Sequence, residues 1–256
     1  MVRIEAPVEE PRVREGPGGQ GGVVVEAVTR AFDGRDGPVV ALEGMSLLAA
    51  PREVVAVVGP SGCGKSTLLE LVCGLQRPDA GRVSADPAVL MPQRDLLLPW
   101  CGALDNAALA LRARGVGRRE ARAHAQETFV GAGLEGFERA LPHELSGGMR
   151  QRVAFARTLL AGKPVLALDE PFGALDALTR ERMQDWLAAA LAREPHTVVL
   201  VTHDVEEAVV LADRVVVMSP RPGRVVKTLE VPFPRPRART DPSVVELRAA
   251  AREALG

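Results

Sequence analysis

Gly59-Pro60-Ser61-Gly62-Cys63-Gly64-Lys65-Ser66, followed by Thr67, has the residue types and spacing of a loop that holds phosphate. Glycines let the backbone bend until successive N–H groups converge on anionic oxygens, and a helix starting beside the loop adds the partial positive charge of its N-terminus. An apolar strand, Val54 to Val58, leads into the loop, and a helical pattern follows it. In that setting Lys65 would reach the β- and γ-phosphates of a nucleoside triphosphate, and Ser66 would ligate magnesium. Only three of the 32 basic residues are lysine, so Lys65 is a candidate for work that a guanidinium cannot do.

A phosphate loop does not say what is done with the phosphate, so acid chemistry must come from elsewhere. The apolar run Val165-Leu166-Ala167-Leu168 ends in Asp169-Glu170, and Pro171 stops it. Side chains alternate along a strand, so the two carboxylates point apart and take different tasks. Asp169 is expected to face the magnesium, and Glu170 the attacking water, as base or orienting group. Leu145-Ser146-Gly147-Gly148-Met149 starts another helix, with Ser146 as its cap. Taken alone, that is an ordinary helix start.

Several elements must bring these residues together. Short β-branched runs predict strands over Val23 to Val28, Val39 to Leu48 and Val54 to Val58, with weak ones around Arg82 to Met91. Helical spacing predicts a helix from Lys65 to Leu75 and an all-helical stretch from Ala103 to Leu160, broken near Arg114 to Gly117 and Gly131 to Gly136. Strands and helices then alternate from Val165 to Met218, which argues for βαβ units and a parallel sheet. The expected class is α/β. Residues 1–22, rich in Pro, Gly and Glu, read as a flexible leader. Arg221 to Arg239, with five arginines and Lys227 against Glu230, reads as a solvated Pro/Arg-rich segment, and a last short helix is expected from Val244 to Leu255.

The 256 residues, 46% of them apolar, exclude disorder as a description of the whole, and no apolar run has the roughly 20 residues that a membrane helix needs. A formal net charge of -1 gives no basic footprint for nucleic acid. The start of the chain has no apolar signal region, and three cysteines form neither a disulfide framework nor a metal-ligand spacing. A cytosolic place is the default expectation.

Taken in order, these motifs resemble the ATP-binding subunit of ABC transporters, across nearly all of Val23 to Pro232. The resemblance implies a P-loop NTPase fold: a RecA-like parallel-sheet core over 23–93 and 161–232, a small antiparallel β region, a helical subdomain over 94–160 and a tail over 233–256. It also implies ATP and Mg2+ as ligands. Ser146, Gly147 and Gly148 would bind the γ-phosphate of a nucleotide held by a second copy, with Met149 where glutamine is usual. Gln93 would sense magnesium and the attacking water, and Asp176 would cross the interface between copies. His203 would contact the γ-phosphate. Glu170, His203 and Gln93 are then the catalytic candidates, and Ser66, Gln93 and Asp169 the metal ligands. Phe32 takes the place of the aromatic on which adenine stacks, in a chain with no tyrosine, although a lone phenylalanine could equally be core packing.

Leu96 to Trp100 and the Pro-Arg tail with its final helix are similar to the nitrate, sulfonate and taurine importer branch, with pyrimidine-precursor importers close to it. Implied partners are a second copy, transmembrane permease subunits and a solute-binding protein, at the cytoplasmic face of the membrane. Two other classes carry a phosphate loop. A soluble ABC ATPase acting on a macromolecule would show tandem cassettes or long coiled-coil insertions, and a P-loop kinase would show an acceptor pocket in place of Ser146 to Gly148 and His203.

Overall fold

The computed structural model describes residues 22–35 and 37–255. Apart from Gly22, the leader expected over 1–22 lies outside them. The central strand is β3 (Val54–Val58), with β7 (Thr197–Thr202) on one side and β8 (Arg214–Met218) on the other, both parallel to it. Beyond β7 come β6 (Val165–Asp169) and β5 (Ala88–Met91), also parallel; beyond β8, β9 (Val225–Glu230) closes the sheet antiparallel. Every residue of β3, β6 and β7 is buried, as both faces of a parallel sheet must be.

Alternation along the strands divides the core in two. Val54, Ala56 and Val58 join one apolar cluster, while Val55 and Val57 join the other. The second cluster is covered by Leu68, Leu69, Leu71 and Val72 of α1 (Lys65–Val72). Residues of α6 (Ala177–Arg193), α7 (Val205–Leu211) and α8 (Pro242–Leu255) join the first. That cluster runs on into the helices between β5 and β6: α2 (Ala103–Ala107), α3 (Leu109–Ala113), α4 (Arg118–Gly131) and α5 (Gly147–Leu159). Phe129 and Phe155 are its largest buried side chains there. No helix among the described residues is long and apolar enough to cross a membrane.

A second sheet, ordered β2-β1-β4, is antiparallel and is built from β1 (Val23–Gly34), β2 (Gly37–Ala49) and β4 (Ala80–Ala85). The structure departs from the sequence expectations at four places. β1 runs past Val28 to Gly34, so Phe32 lies within the strand, paired with Val39. The weak strands expected around Arg82 to Met91 are two, one in each sheet. α1 ends at Val72, where Leu75 N donates to Glu70 O at 2.9 Å and Gly74 N to Leu71 O at 3.1 Å.

The fourth departure is the Pro/Arg-rich segment, which is not solvated throughout. It contains β9, and Arg237 is 7% exposed. Its guanidinium donates to the carbonyls of Val209, Val210 and Ala212 at 3.0, 3.2 and 2.6 Å and to Phe233 O at 2.6 Å. Burial pulls that guanidinium down to about 10, and the carbonyls satisfy its donors. Arginine here fastens the tail to the carbonyl-rich end of α7.

Candidate active site

Parallel strands present all their carboxyl ends at one edge of a sheet, where α/β proteins bind ligands. From β5 the chain enters the loop bearing Gln93, from β6 it reaches Glu170, from β7 it reaches His203, and from β3 it enters the Gly59–Lys65 loop. Topology therefore collects residues spread over 145 positions of sequence at neighbouring strand ends. Gly64 has φ +104, and a Cβ there would come within 2.7 Å of Ala41 O, so the loop needs glycine where it turns into α1. No side chain caps the start of α1, which leaves its first N–H groups available to an anion. Lys65 is buried, its Nζ donating to Gly59 O at 2.8 Å and Pro60 O at 2.9 Å.

Asp169 is buried beside Lys65. Burial raises its carboxyl above the ordinary range, opposed first by the nearby Ser66 hydroxyl. Glu170 leaves the strand in a left-handed conformation, φ 47, which carries its side chain away from that of Asp169. Gln93 Nε2 donates to Glu170 Oε2 at 3.1 Å, and His203 Nδ1 stands 3.2 Å from Oε1. The two carboxylates thus have the separate surroundings expected of separate tasks.

A cleft of about 420 Å³ joins these groups. Ser61, Gly62, Gly64, Lys65, Ser66 and Thr67 line one side, with Gln93, Asp169 and Glu170, and Phe32 comes from the antiparallel sheet. Of the other loop residues, Gly59 and Cys63 are buried and Pro60 is exposed. Phe32 is 37% exposed, with the Arg30 guanidinium 4.8 Å from its ring centre. It belongs to the cleft and not to the core.

Ser146, Gly147 and Gly148 do not line this cleft. Ser146 is exposed at the start of α5, its Oγ accepting from Met149 N at 3.2 Å, and Gly148 lies near Leu175. Asp176 caps α6 in the same way, accepting from Thr179 N at 3.0 Å, and bonds from Thr179 hold its carboxyl below the usual range. Three residues at the site had no role on sequence grounds. Gln151 Nε2 reaches Glu170 O at 3.4 Å, Arg221 lines the cleft, and Glu207 is buried behind His203 in a pocket shared with Glu170, Thr202 and Arg180. Only the sequence position of Glu207, four residues after His203 on a helix start, could have pointed to it.

The donor set suits a magnesium ion. Such an ion keeps several waters and takes one or two protein oxygens together with substrate phosphates. Ser66, Asp169 and Gln93 offer hard oxygens in the cleft, and burial disfavours the charged form of Asp169, an effect that a neighbouring cation opposes.

Comparison with known proteins agrees with this geometry. Residues 42–173 match the ABC transporter family. A taurine import ATP-binding protein, TauB of Chromobacterium violaceum, is 44% identical over 244 residues, covering 88% of this chain and 92% of the relative. TauB of Pseudomonas aeruginosa is 43% identical over 245 residues, covering 89% and 93%. The dimeric structure of the ATP-binding cassette MJ0796, in a post-hydrolysis state bound to ADP and Pi, superimposes with a TM-score of 0.76 at 30% identity, covering 82% of this chain and 99% of that one. The strand-end cleft, the loop that opens α1 and these likenesses together place the chain in the ABC transporter family, as one of its ATP-binding, ATP-hydrolysing subunits.

Proposed function

We propose that this chain energises an importer of taurine or a related small sulfonate, working as two copies that close on two ATP molecules. The taurine assignment rests on the named relatives. One observation carries the two-copy reading: Ser146, Gly147 and Gly148, which the family resemblance assigns to a γ-phosphate, stand outside the cleft that the phosphate loop lines. Ser146, Gly147 and Gly148 would then complete the site of the second copy, with Asp176 beside the interface, as a two-fold arrangement allows.

In each cleft the adenine stacks on Phe32, and phosphate oxygens displace the Gly59 and Pro60 carbonyls from Lys65. The N–H groups of the loop from Ser61 to Thr67 converge on the same oxygens. Ser66, Asp169 and Gln93 would hold magnesium, which would supply neutralisation of phosphate charge. Glu170 orients the attacking water and takes its proton as the oxygen bonds to the γ-phosphorus and the bond to the leaving ADP oxygen breaks. Gln93 and His203 fix the two Glu170 oxygens, and His203 faces the γ-phosphate.

Hydrolysis removes the phosphates that hold the copies together, and the movement passes to permease subunits. The exposed Leu96 and Trp100, just after Gln93, suit that contact. Asn106, fully buried, fixes the turn that presents them through bonds to Leu98, Cys101 and Gly102, and Arg150 and Arg157 of α5 hold Asp95 and Leu96. The division into a nucleotide core over 23–93 and 161–232, a helical part over 94–160 and a tail from 233 follows from these roles. Such a subunit sits on the cytoplasmic face of the membrane and works with a solute-binding protein. The test is ATP turnover by the purified chain: Lys65→Ala should weaken ATP binding and abolish turnover, and unchanged turnover would overturn the reading.

A further inference from the structure

Four strand ends supply the site described above, and a fifth reaches the same cleft. After β8 the loop from Ser219 to Arg224 turns back towards the phosphate loop, and Arg221 Nε donates to Gly62 O at 2.9 Å. No described residue accepts a hydrogen bond from its two terminal nitrogens, and no described carboxylate pairs with it. The backbone that carries it is closely held. Gly223 N donates to Ala41 O at 2.9 Å and Glu43 N to Gly223 O at 3.1 Å. Arg224 N donates to Ser219 Oγ at 3.0 Å. A Cβ on Gly223 would come within 2.2 Å of Cys63 O, so the loop is wedged between β2 and the phosphate loop with no room for a side chain.

Charge gives this placement a purpose. Among the described residues lining the cleft, Lys65 and Arg221 are the cations, against Asp33, Asp169 and Glu170. A polyanionic ligand entering a cleft whose carboxylates outnumber its lysine gains most from the second cation. A guanidinium offers a planar fork of donors that matches phosphate oxygens, and here one edge of that fork is already anchored.

Resting on the reading of the cleft as an ATP site, we infer that Arg221 is a second phosphate-binding cation, its Nε staying on the Gly62 carbonyl while its terminal nitrogens donate to the phosphate chain of the nucleotide. The experiment is calorimetric titration of the full chain with magnesium and the non-hydrolysable imido analogue of ATP, at several salt concentrations. Arg221→Gln keeps a donor near Gly62 but removes the charge. It should weaken binding about tenfold to a hundredfold, the range expected for a charged hydrogen bond, and should flatten the salt dependence. Arg221→Ala should behave alike. If Arg221→Gln binds as the parent does, or binds more weakly with the parent's salt dependence, Arg221 is only a brace for the loop and the inference fails. A parent that does not bind the analogue, or a Lys65→Ala chain that binds it as tightly, would overturn the ATP reading itself.

Discussion

His203 Nδ1 stands 3.2 Å from Glu170 Oε1, so the residue that follows β7 holds the carboxylate that follows β6. Gln93, beyond β5, holds the other oxygen. In the proposed reading this carboxylate, held at both oxygens, orients the water, while Lys65 and the phosphate loop hold the nucleotide. Glu170→Gln should therefore keep ATP affinity while turnover falls about 10²–10⁴-fold, the contribution of general-base catalysis. Steady-state turnover at saturating ATP measures this. Near-normal turnover would mean that another group positions the water.

Phe32 presents a half-open ring to the cleft, braced by Arg30, which in turn bonds to Gln76 and Asp79. Phe32→Ala should raise the apparent Michaelis constant for ATP on the order of tenfold, within the range for a base stacked on an aromatic ring, with less effect on the maximal rate. An unchanged constant would leave the adenine resting elsewhere in the cleft.

Glu207 gives a prediction about pH. Burial first, then Asp204, pushes its carboxyl from its ordinary 4.5 to about 8, against the pull of Arg180 and the Thr202 hydroxyl; Glu170 also faces it, and its Oε1 has no hydrogen-bond partner among the described residues. Between those two values the folded chain keeps a proton that the unfolded chain has released. This contribution to stability is complete below pH 4.5 and is lost as pH rises through about 8. Glu207→Gln, which cannot ionise, should lose less stability than the parent between pH 5 and pH 8, to use round values inside about that window. Denaturant unfolding at a series of pH values checks this, and parallel curves would show that the group is ionised in both states.

The phosphate loop and the acid pair were legible in sequence because each sits where an apolar run stops, and a strand end is a local signal; His203 was named only through the family resemblance. Their convergence followed from the alternation of strands and helices. Arg221 and Arg237 were not legible. Both lie in a stretch whose composition reads as solvated, and both are fixed by carbonyls on elements far off in sequence: Gly62 for one, Val209 to Ala212 for the other. β9 was hidden for a related reason, since its residues alternate between half-buried and exposed at the sheet edge and include Lys227 and Glu230. The extension of β1 was hidden by the register shifts after Val25, Val28 and Arg30, which break the period of two that a strand displays.

In the proposed cycle two copies close on ATP, Ser146 of one completing the cleft of the other. Light scattering coupled to size-exclusion chromatography tests it on the Glu170→Gln protein, which should bind ATP without consuming it. The protein should shift from monomer to dimer when ATP and magnesium are added, and should lose that shift when Ser146→Arg is introduced as well. A Glu170→Gln protein that binds ATP yet stays monomeric at high concentration, or one that still dimerises with Ser146→Arg, would contradict it.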